Sequence, residues 1–236
     1  MHTPDDNELT AGFGTWPIDE SVTKAGIFDG QPNSLNDLHN VFCRARAAGA
    51  EFRTRVGALR ENGDLTPQGI ARQVTEFASA AVKTLDTFAA DQIGRARYER
   101  ERLEGKVAAL LKPEDGGAGD IFLRQELMAL SEPERVAVLH QAVADGETAV
   151  LRAVFAAPKF LQRRLMTTPA LLDGVRTRWL EARAPALTER LAHLEQGLAV
   201  ADRARSALRN FIVNTKGIDP ELRTALQAAL FEAPTA

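Results

Sequence analysis

The chain has 236 residues, and its 29 lysines and arginines nearly balance its 32 aspartates and glutamates, for a formal net charge of -3 at pH 7. This balance produces no overall field that would attract DNA or an anionic membrane, so any nucleic-acid site must be a local patch. The length allows one substantial core, or an elongated body with a subdomain. A single cysteine, Cys43, excludes an internal disulfide.

The composition favours helices over strands. Alanine, leucine, arginine and glutamate are the common residues, whereas tyrosine occurs once and tryptophan twice. No stretch approaches the roughly 20 consecutive apolar residues of a membrane-spanning helix. The first residues are acidic and have neither the basic start nor the apolar run of a secretory signal. We therefore expect a soluble all-α protein with no membrane partner.

Residues 1–33 are acidic and are interrupted by glycines and prolines at short intervals. This punctuation predicts an extended arm without helices. The arm nevertheless carries large apolar side chains, which predicts that it docks on a surface. That surface is either the helical body of the same chain or a neighbouring subunit. The candidate partner-binding residues are Phe13, Trp16, Ile18, Ile27 and Phe28.

Residues 34–112 predict two long helices. Ser34 is the expected cap of the first, and an apolar heptad stripe follows it over more than three repeats. The stripe consists of Leu35, Leu38, Phe42, Ala45, Gly49, Phe52, Val56 and Leu59. Because this stripe begins only at Leu35, removal of the arm is expected to affect assembly more than folding.

The second helix is expected to begin at Thr66-Pro67, after a turn so short that the two helices must be antiparallel neighbours. Its stripe should pack against the first one, and a charged segment beyond Ile93 should continue the helix while leaving the core. The stripe consists of Ile70, Val74, Phe77, Ala81, Leu85 and Phe88.

Residues 113–168 predict a small helical tip subdomain behind a glycine-rich connector at 112–119. Ser131 and Glu134 form a capping box that opens one short helix, and Gly146 turns the chain into the next. Two short helices about a glycine suggest a DNA-reading helix-turn-helix. The second of them opens with Glu147, however, and offers few donors to bases or phosphates. A helical subdomain is therefore the favoured interpretation.

Residues 169–236 predict a long return helix and a short C-terminal helix. Apolar residues recur on one stripe between Pro169 and Lys216, and Pro185 should kink the helix. This helix and the one from Pro67 to Leu111 have similar lengths. We therefore expect an elongated antiparallel hairpin or coiled coil that carries the tip subdomain at its far end.

One stretch, from Lys159 to Arg183, is basic and has two aromatic residues, Phe160 and Trp179, among its cations. Arginine beside an aromatic ring can contact phosphates or stack on a base. Such residues also commonly extend around a helix junction with their charged ends in water, without any ligand. The candidate nucleic-acid contacts are Lys159, Arg163, Arg164, Arg176 and Arg178.

The sequence predicts no catalytic site and no metal site. The four histidines lie in different segments, and none has a second ligand at the spacing of a helical metal site. The acidic residues lie at salt-bridge spacing from arginines, and no two of them stand out as an acid/base couple. We therefore expect no catalytic residues, no cofactor and no metal, and a protein that is not an enzyme.

Two stretches carry a resemblance to a known class. They are Leu65-Thr66-Pro67-Gln68-Gly69-Ile70-Ala71, and Glu134-Arg135 followed by Ala142, Asp145-Gly146-Glu147, Ala153 and Ala157-Pro158. Together, over residues 60–215, they resemble uncharacterised helical proteins encoded among the structural genes of tailed bacteriophages. The resemblance implies a virion or assembly protein, in the host cytoplasm or in the virion, and it assigns no functional residues.

Two functions follow as expectations. The first is a non-enzymatic structural or assembly protein that acts through protein contacts, as a homo-oligomer or with virion neighbours. The alternative is a nucleic-acid-associated protein that uses the basic stretch at 159–183.

Overall fold

The computed structural model describes residues 6–25, 27–28, 30–110, 118–165 and 169–231, and these fold as an all-α bundle, which confirms the predicted fold class. The helices are α1 (Asp6–Phe13), α2 (Glu20–Lys24), α3 (Ser34–Glu61), α4 (Pro67–Leu110), α5 (Ala118–Ala129), α6 (Glu132–Asp145), α7 (Thr148–Phe155), α8 (Lys159–Leu165), α9 (Pro169–Arg183), α10 (Pro185–Asn214) and α11 (Pro220–Phe231). Between α2 and α3, the two-residue strands β1 (Ile27–Phe28) and β2 (Gln31–Pro32) pair antiparallel.

The chain divides into two compact units. Unit 1 comprises Met1–Glu99 and His193–Ala236, and unit 2 comprises Arg100–Ala192. The long helices α4 and α10 contribute residues to both. Unit 2 thus contains all of 113–168, the predicted tip subdomain, together with residues on both sides of it. The predicted glycine-rich connector lies mostly outside the described residues.

The first long helix, α3, has the predicted span, but its cap is Asn33 and not Ser34. The side chain of Asn33 accepts a hydrogen bond from the backbone N–H of Leu35 at 3.0 Å, and its amide nitrogen donates to the carbonyl oxygens of Val22 and Thr23. An amide has both a donor and an acceptor, so Asn33 can bind the end of α2 as well as the start of α3, which a serine hydroxyl cannot do with the same reach.

A buried carboxylate also faces the start of α3. The side chain of Glu99, on α4, is only 4% exposed, and its Oε2 accepts a hydrogen bond from the backbone N–H of Ser34 at 3.3 Å. A negative charge is stabilised at the positive end of a helix, where the first N–H groups have no partner within the helix. Glu99 therefore fixes α4 against the first turn of α3.

The predicted heptad stripe of α3 is the face that unit 1 buries. All of its members are buried except Leu59, which is half-buried. Phe52 has no exposed surface, and its ring lies parallel to that of Phe77 on α4, with 6.3 Å between the ring centroids. The ring contact confirms that α3 and α4 are neighbours, as the short turn between them predicts.

The stripe of α4 that is buried is shifted around the helix from the predicted stripe. Of the predicted positions, only Val74 and Leu85 are buried, and the other four are half-buried. The buried face consists of Val74, Ala78, Val82, Leu85, Ala89, Ile93 and Ala96. Alanine recurs along it because a small side chain lets the neighbouring helices approach closely, while larger side chains such as Phe77 cover the edges of the seam. Leu103 and Val107 are also buried, so the prediction that the charged segment leaves the core is wrong.

An ion-pair network joins α4 to α10 within unit 1. Asp86 accepts hydrogen bonds from Arg205 Nε, at 3.1 Å, and from Arg209. Asp202 on α10 lies 3.5 Å from both Arg97 and Arg205. Two arginines that share one partly buried carboxylate form a stronger contact than isolated surface pairs do.

The prediction of an extended arm without helices is wrong, because residues 1–33 contain α1, α2 and the β1–β2 hairpin. Asp19 caps α2 by accepting a hydrogen bond from the N–H of Ser21 at 2.8 Å. Thr23, fully buried, accepts a hydrogen bond from Trp16 Nε1 at 3.0 Å. Both α1 and α2 pack against α3. The arm therefore docks on the helical body of its own chain.

The predicted return helix is two helices, not one kinked helix. The α9 helix ends at Arg183, and α10 begins at Pro185. Proline has no N–H to continue the ladder and clashes with the preceding turn, so the chain is not helical at Ala184. The α9 helix packs against α6 in unit 2.

The C-terminal helix α11 forms as expected, with Leu222, Leu226 and Leu230 buried in unit 1. Gly217 precedes it with a φ of +88°, a conformation that only glycine adopts without strain. A Cβ at this position would lie 2.0 Å from Arg60 Nη1, so the missing side chain also makes room for the guanidinium at the end of α3.

In unit 2, α5 to α9 surround a core of their own. It consists of Leu127, Leu139, Ala142, Leu151, Val154, Ala157, Leu165, Val175 and Trp179. The predicted capping box is confirmed, since the N–H and the hydroxyl of Ser131 both donate to Glu134 Oε2, at 2.8 and 2.6 Å. Gly146 ends α6 with a φ of +71°, as the predicted turn requires. Among the described helices of the chain, none is both long and apolar enough to cross a membrane.

Candidate interaction surface

Two neighbouring helices of unit 2 expose large apolar side chains. On α5, Ile121 is 55% exposed and Phe122 is 60% exposed, and on α8, Phe160 is 65% exposed. The two helices pack against one another. Single exposed apolar residues are ordinary, but two phenylalanines and an isoleucine on two adjoining helices are a feature of binding surfaces.

The sequence orients these side chains by assigning the opposite faces of both helices to the core. On α8, Leu165 is buried and Leu161 packs against the core, so Phe160 points away from it. On α5, Asp120 and Leu127 are buried. The exposed side chains of α8 also include the cations Lys159, Arg163 and Arg164. We call Ile121, Phe122, Lys159, Phe160, Arg163 and Arg164 the α5–α8 surface.

Buried polar contacts hold α5 beneath this surface. Asp120, 2% exposed, accepts a hydrogen bond from Arg152 Nη2 on α7 at 3.1 Å, and its other oxygen lies 4.0 Å from Arg124 Nη2. Arg124 Nε donates to the carbonyl oxygen of Ala153, also on α7, at 2.7 Å. Charged hydrogen bonds at a buried position fix the register of two helices. The exposed residues of α5 therefore rest on a rigid support.

The structure divides the predicted nucleic-acid contacts between two helices. Arg176 and Arg178 lie on α9 and are exposed, and Arg178 Nη1 lies 2.6 Å from His140 Nδ1 on α6. Trp179 is only 6% exposed, and its ring lies 6.4 Å from that of Phe155, so it belongs to the core and cannot stack on a base. Of the two aromatic residues in the basic stretch, only Phe160 is available to a ligand.

The predicted partner-binding residues of the arm are mostly occupied within the chain. Phe13 and Ile18 are buried, and Phe13 contacts Phe211 on α10 with ring centroids 5.6 Å apart. Trp16 is half-buried, with ring centroids 5.1 Å from His39 and 6.0 Å from Phe42. Phe28 is half-buried, and the side chain of Ile27 lies outside the described residues. Phe13 and Ile18 therefore cannot bind a neighbour without leaving their own unit.

A cysteine and a histidine lie together on α3, with 3.4 Å between Cys43 Sγ and His39 Nε2. Burial raises the pKa of the Cys43 thiol, and burial also lowers the pKa of His39. Both shifts favour the neutral forms, whereas a nucleophilic cysteine needs a lowered pKa. In the described part of the chain, no three histidine, cysteine, aspartate or glutamate side chains are grouped closely enough to bind a metal ion.

Comparison of the chain with protein-family models, with curated proteins and with solved structures gave no match.

Proposed function

We propose that this chain is a non-enzymatic helical structural or assembly protein that binds other proteins, and that the α5–α8 surface of unit 2 is a site of binding. The observation that carries the proposal is the exposure of Ile121, Phe122 and Phe160 on two helices that pack together. The resemblance of residues 60–215 to helical proteins of tailed-bacteriophage structural gene clusters supports a virion or virion-assembly setting.

The chemistry of the surface fits a protein partner. Aromatic residues and arginine are enriched where proteins meet, and a few buried aromatic anchors carry most of the binding free energy. Here two exposed phenylalanines provide the anchors, and Lys159, Arg163 and Arg164 provide cations beside one of them. Such a surface fits a partner that offers an apolar pocket edged by carboxylates.

The proposal is tested by replacing the two exposed phenylalanines. The double variant Phe122→Ser with Phe160→Ser should reduce recovery of partner proteins about tenfold when the tagged chain is isolated from cells that also express its neighbouring genes. The side chains are exposed, so the fold should not change. Tyr98→Ser is the matched control, because Tyr98 is an aromatic residue of unit 1 that is 71% exposed. Equal recovery by the double variant and the control would contradict the proposal.

One observation favours nucleic-acid binding as a second candidate. On α8, the exposed ring of Phe160 lies among the exposed cations Lys159, Arg163 and Arg164. Single strands are bound by this combination, in which cations contact phosphates and an aromatic ring stacks on a base.

The nucleic-acid candidate is tested with labelled single strands and duplexes over a range of salt concentrations. If α8 binds phosphates, affinity for single strands falls steeply with salt, and Arg163→Ala with Arg164→Ala lowers the logarithmic salt slope by about 0.7 for each lost contact. Arg72→Ala, at an exposed arginine of unit 1, is the control. A chain that shifts neither probe at low salt is not a nucleic-acid-binding protein of this kind.

A further inference from the structure

His39 and Cys43 lie together on the outside of α3 in unit 1 and are both potential metal ligands. Cys43 follows His39 by four residues, so the two side chains project from the same face of the helix, one turn apart. Cys43 is exposed and His39 is half-buried, and 3.4 Å separates Cys43 Sγ from His39 Nε2. The expectation that no histidine has a second ligand at helical spacing is therefore wrong for His39.

The distance between the two atoms fits one metal ion bound to both. Zinc binds cysteine sulfur at about 2.3 Å and histidine nitrogen at about 2.0 to 2.1 Å, so a tetrahedral angle at the ion places these two atoms about 3.5 Å apart. A linear arrangement with the same bonds would need about 4.3 Å. The observed 3.4 Å agrees with the tetrahedral arrangement, and a cation can reach the pair from solvent because Cys43 is exposed.

The surroundings of His39 prepare its ring to bind a metal. The ring packs against those of Trp16 and Phe42, with 5.1 and 6.4 Å between the centroids, and these contacts restrict its rotation. Burial lowers the pKa of His39, so the imidazole is neutral at pH 7 and can donate a lone pair. Glu20 on α2 places a negative charge near the ring that offsets the charge of Lys24.

We propose that His39 and Cys43 bind one divalent cation of the zinc class, with water at the other two tetrahedral positions. Sulfur and imidazole together select such ions over Mg²⁺ and Ca²⁺, which take oxygen ligands. In the part of the chain that the structure describes, no third histidine, cysteine or carboxylate is close enough to complete the site. The site should therefore bind zinc more weakly than a structural site with four protein ligands does. The proposal goes beyond the function proposed above and does not involve the α5–α8 surface.

Binding exchanges a proton for the metal ion. The Sγ–H bond of Cys43 breaks, a bond from Sγ to the ion forms, and the proton goes to solvent, whereas neutral His39 donates its lone pair without losing a proton. Burial raises the pKa of the Cys43 thiol, although the guanidinium of Arg46 acts in the opposite direction, so the thiol is protonated at pH 7. Affinity should therefore rise about tenfold for each pH unit between pH 7 and the pKa of the thiol.

The experiment titrates the full chain with Co²⁺, which takes the place of zinc and gives a charge-transfer absorption band when a thiolate binds it. We expect one Co²⁺ for each chain, and a band that Zn²⁺ removes by displacement. Cys43→Ser should abolish the band. His39→Gln should lower the affinity by more than about tenfold, since even the loss of a hydrogen bond to a metal ligand costs that much.

The controls separate metal binding from folding. His140→Gln removes a half-buried histidine of α6 that has no histidine, cysteine or carboxylate three or four residues away, and it should leave the affinity unchanged. Without metal, Cys43→Ser should melt as the natural chain does, because the side chain is exposed. Zn²⁺ should raise the melting temperature of the natural chain but not that of Cys43→Ser, because the folded helix holds the two ligands together and the unfolded chain does not.

Three results would overturn the proposal. One is a natural chain that shows no charge-transfer band with Co²⁺ in excess. The second is a band with the same affinity in His39→Gln, which would mean that the cysteine binds metal alone. The third is one ion shared by two chains. None of these results would affect partner recovery through Phe122 and Phe160.

Discussion

Replacement of Phe13 by alanine is expected to lower the free energy of unfolding of unit 1 by about 3 kcal/mol. Phe13 is the last residue of α1 and is only 8% exposed. Its ring lies between Gly49 of α3 and Phe211 of α10, so its removal leaves a cavity among three helices. Urea denaturation measures the loss. Phe160→Ala, at an exposed position of unit 2, is the control and should change stability by less than about 0.5 kcal/mol.

The contact between Phe13 and Gly49 can be measured separately. A Cβ at Gly49 would lie 3.0 Å from the ring of Phe13, which is too close for the ring to stay in place. In the natural chain, Gly49→Ala should therefore destabilise, although alanine has a helix propensity about 1 kcal/mol better than that of glycine. In a Phe13→Ala background that ring is absent, and the closest remaining side-chain atom is Phe211 Cδ1 at 3.3 Å, so Gly49→Ala should destabilise less than it does in the natural chain. Additive effects of the two substitutions would mean that they do not touch.

Deletion of residues 1–33 follows the same reasoning. The expectation from the sequence was that the arm affects assembly more than folding. The structure reverses it, because Leu9, Phe13, Ile18 and Thr23 are buried in unit 1. The truncated chain should lose more stability than Phe13→Ala does, and it should expose apolar surface on α3 and α10. An unchanged melting temperature would restore the original interpretation.

Local signals were sufficient to predict α3. Its apolar residues recur at heptad spacing from Leu35 to Val56, and a period sustained over that length has no other regular explanation. They were not sufficient to predict α1, which has only eight residues. A helix that short is unstable by itself and forms because Phe13 packs between Gly49 of α3 and Phe211 of α10, which follow much later in the chain. A single sequence does not show that contact.

Burial was harder to predict than helicity in α4 and α9. The sequence placed Phe77 and Phe88 at the centre of the α4 seam because they are large and apolar, whereas the centre consists of smaller residues such as Ala78 and Ala89. From the sequence, Phe160 and Trp179 of the basic stretch are equal candidates for stacking on a base. Phe160 is exposed and Trp179 is in the core, and this difference depends on how α8 and α9 pack. Nothing in the sequence marks Ile121 and Phe122 as exposed, because apolar residues at these positions of a helix could equally well face the core.

Phe52→Ala should be the most damaging single truncation in the α3 stripe, at about 3 to 5 kcal/mol. Phe52 has no exposed surface, and its ring lies within 10° of parallel to that of Phe77. Truncation removes both the burial of the ring and the aromatic contact, which itself contributes about 0.5 to 1.5 kcal/mol. Phe52→Leu keeps an apolar side chain in the site and should lose less, so the difference between the two variants measures the cavity.

The control is Phe231→Ala, which removes the same side chain from a position of α11 that is 52% exposed. Denaturation should be followed at low protein concentration, because association between copies would add its own stability to that of unit 1. Circular dichroism and the slope of the urea transition show whether the variants still unfold as the natural chain does. If Phe52→Ala and Phe231→Ala lose the same free energy, Phe52 does not lie in a packed seam between α3 and α4. The predicted heptad stripe would then not be the core of unit 1, since Phe52 is the phenylalanine of that stripe that has no exposed surface.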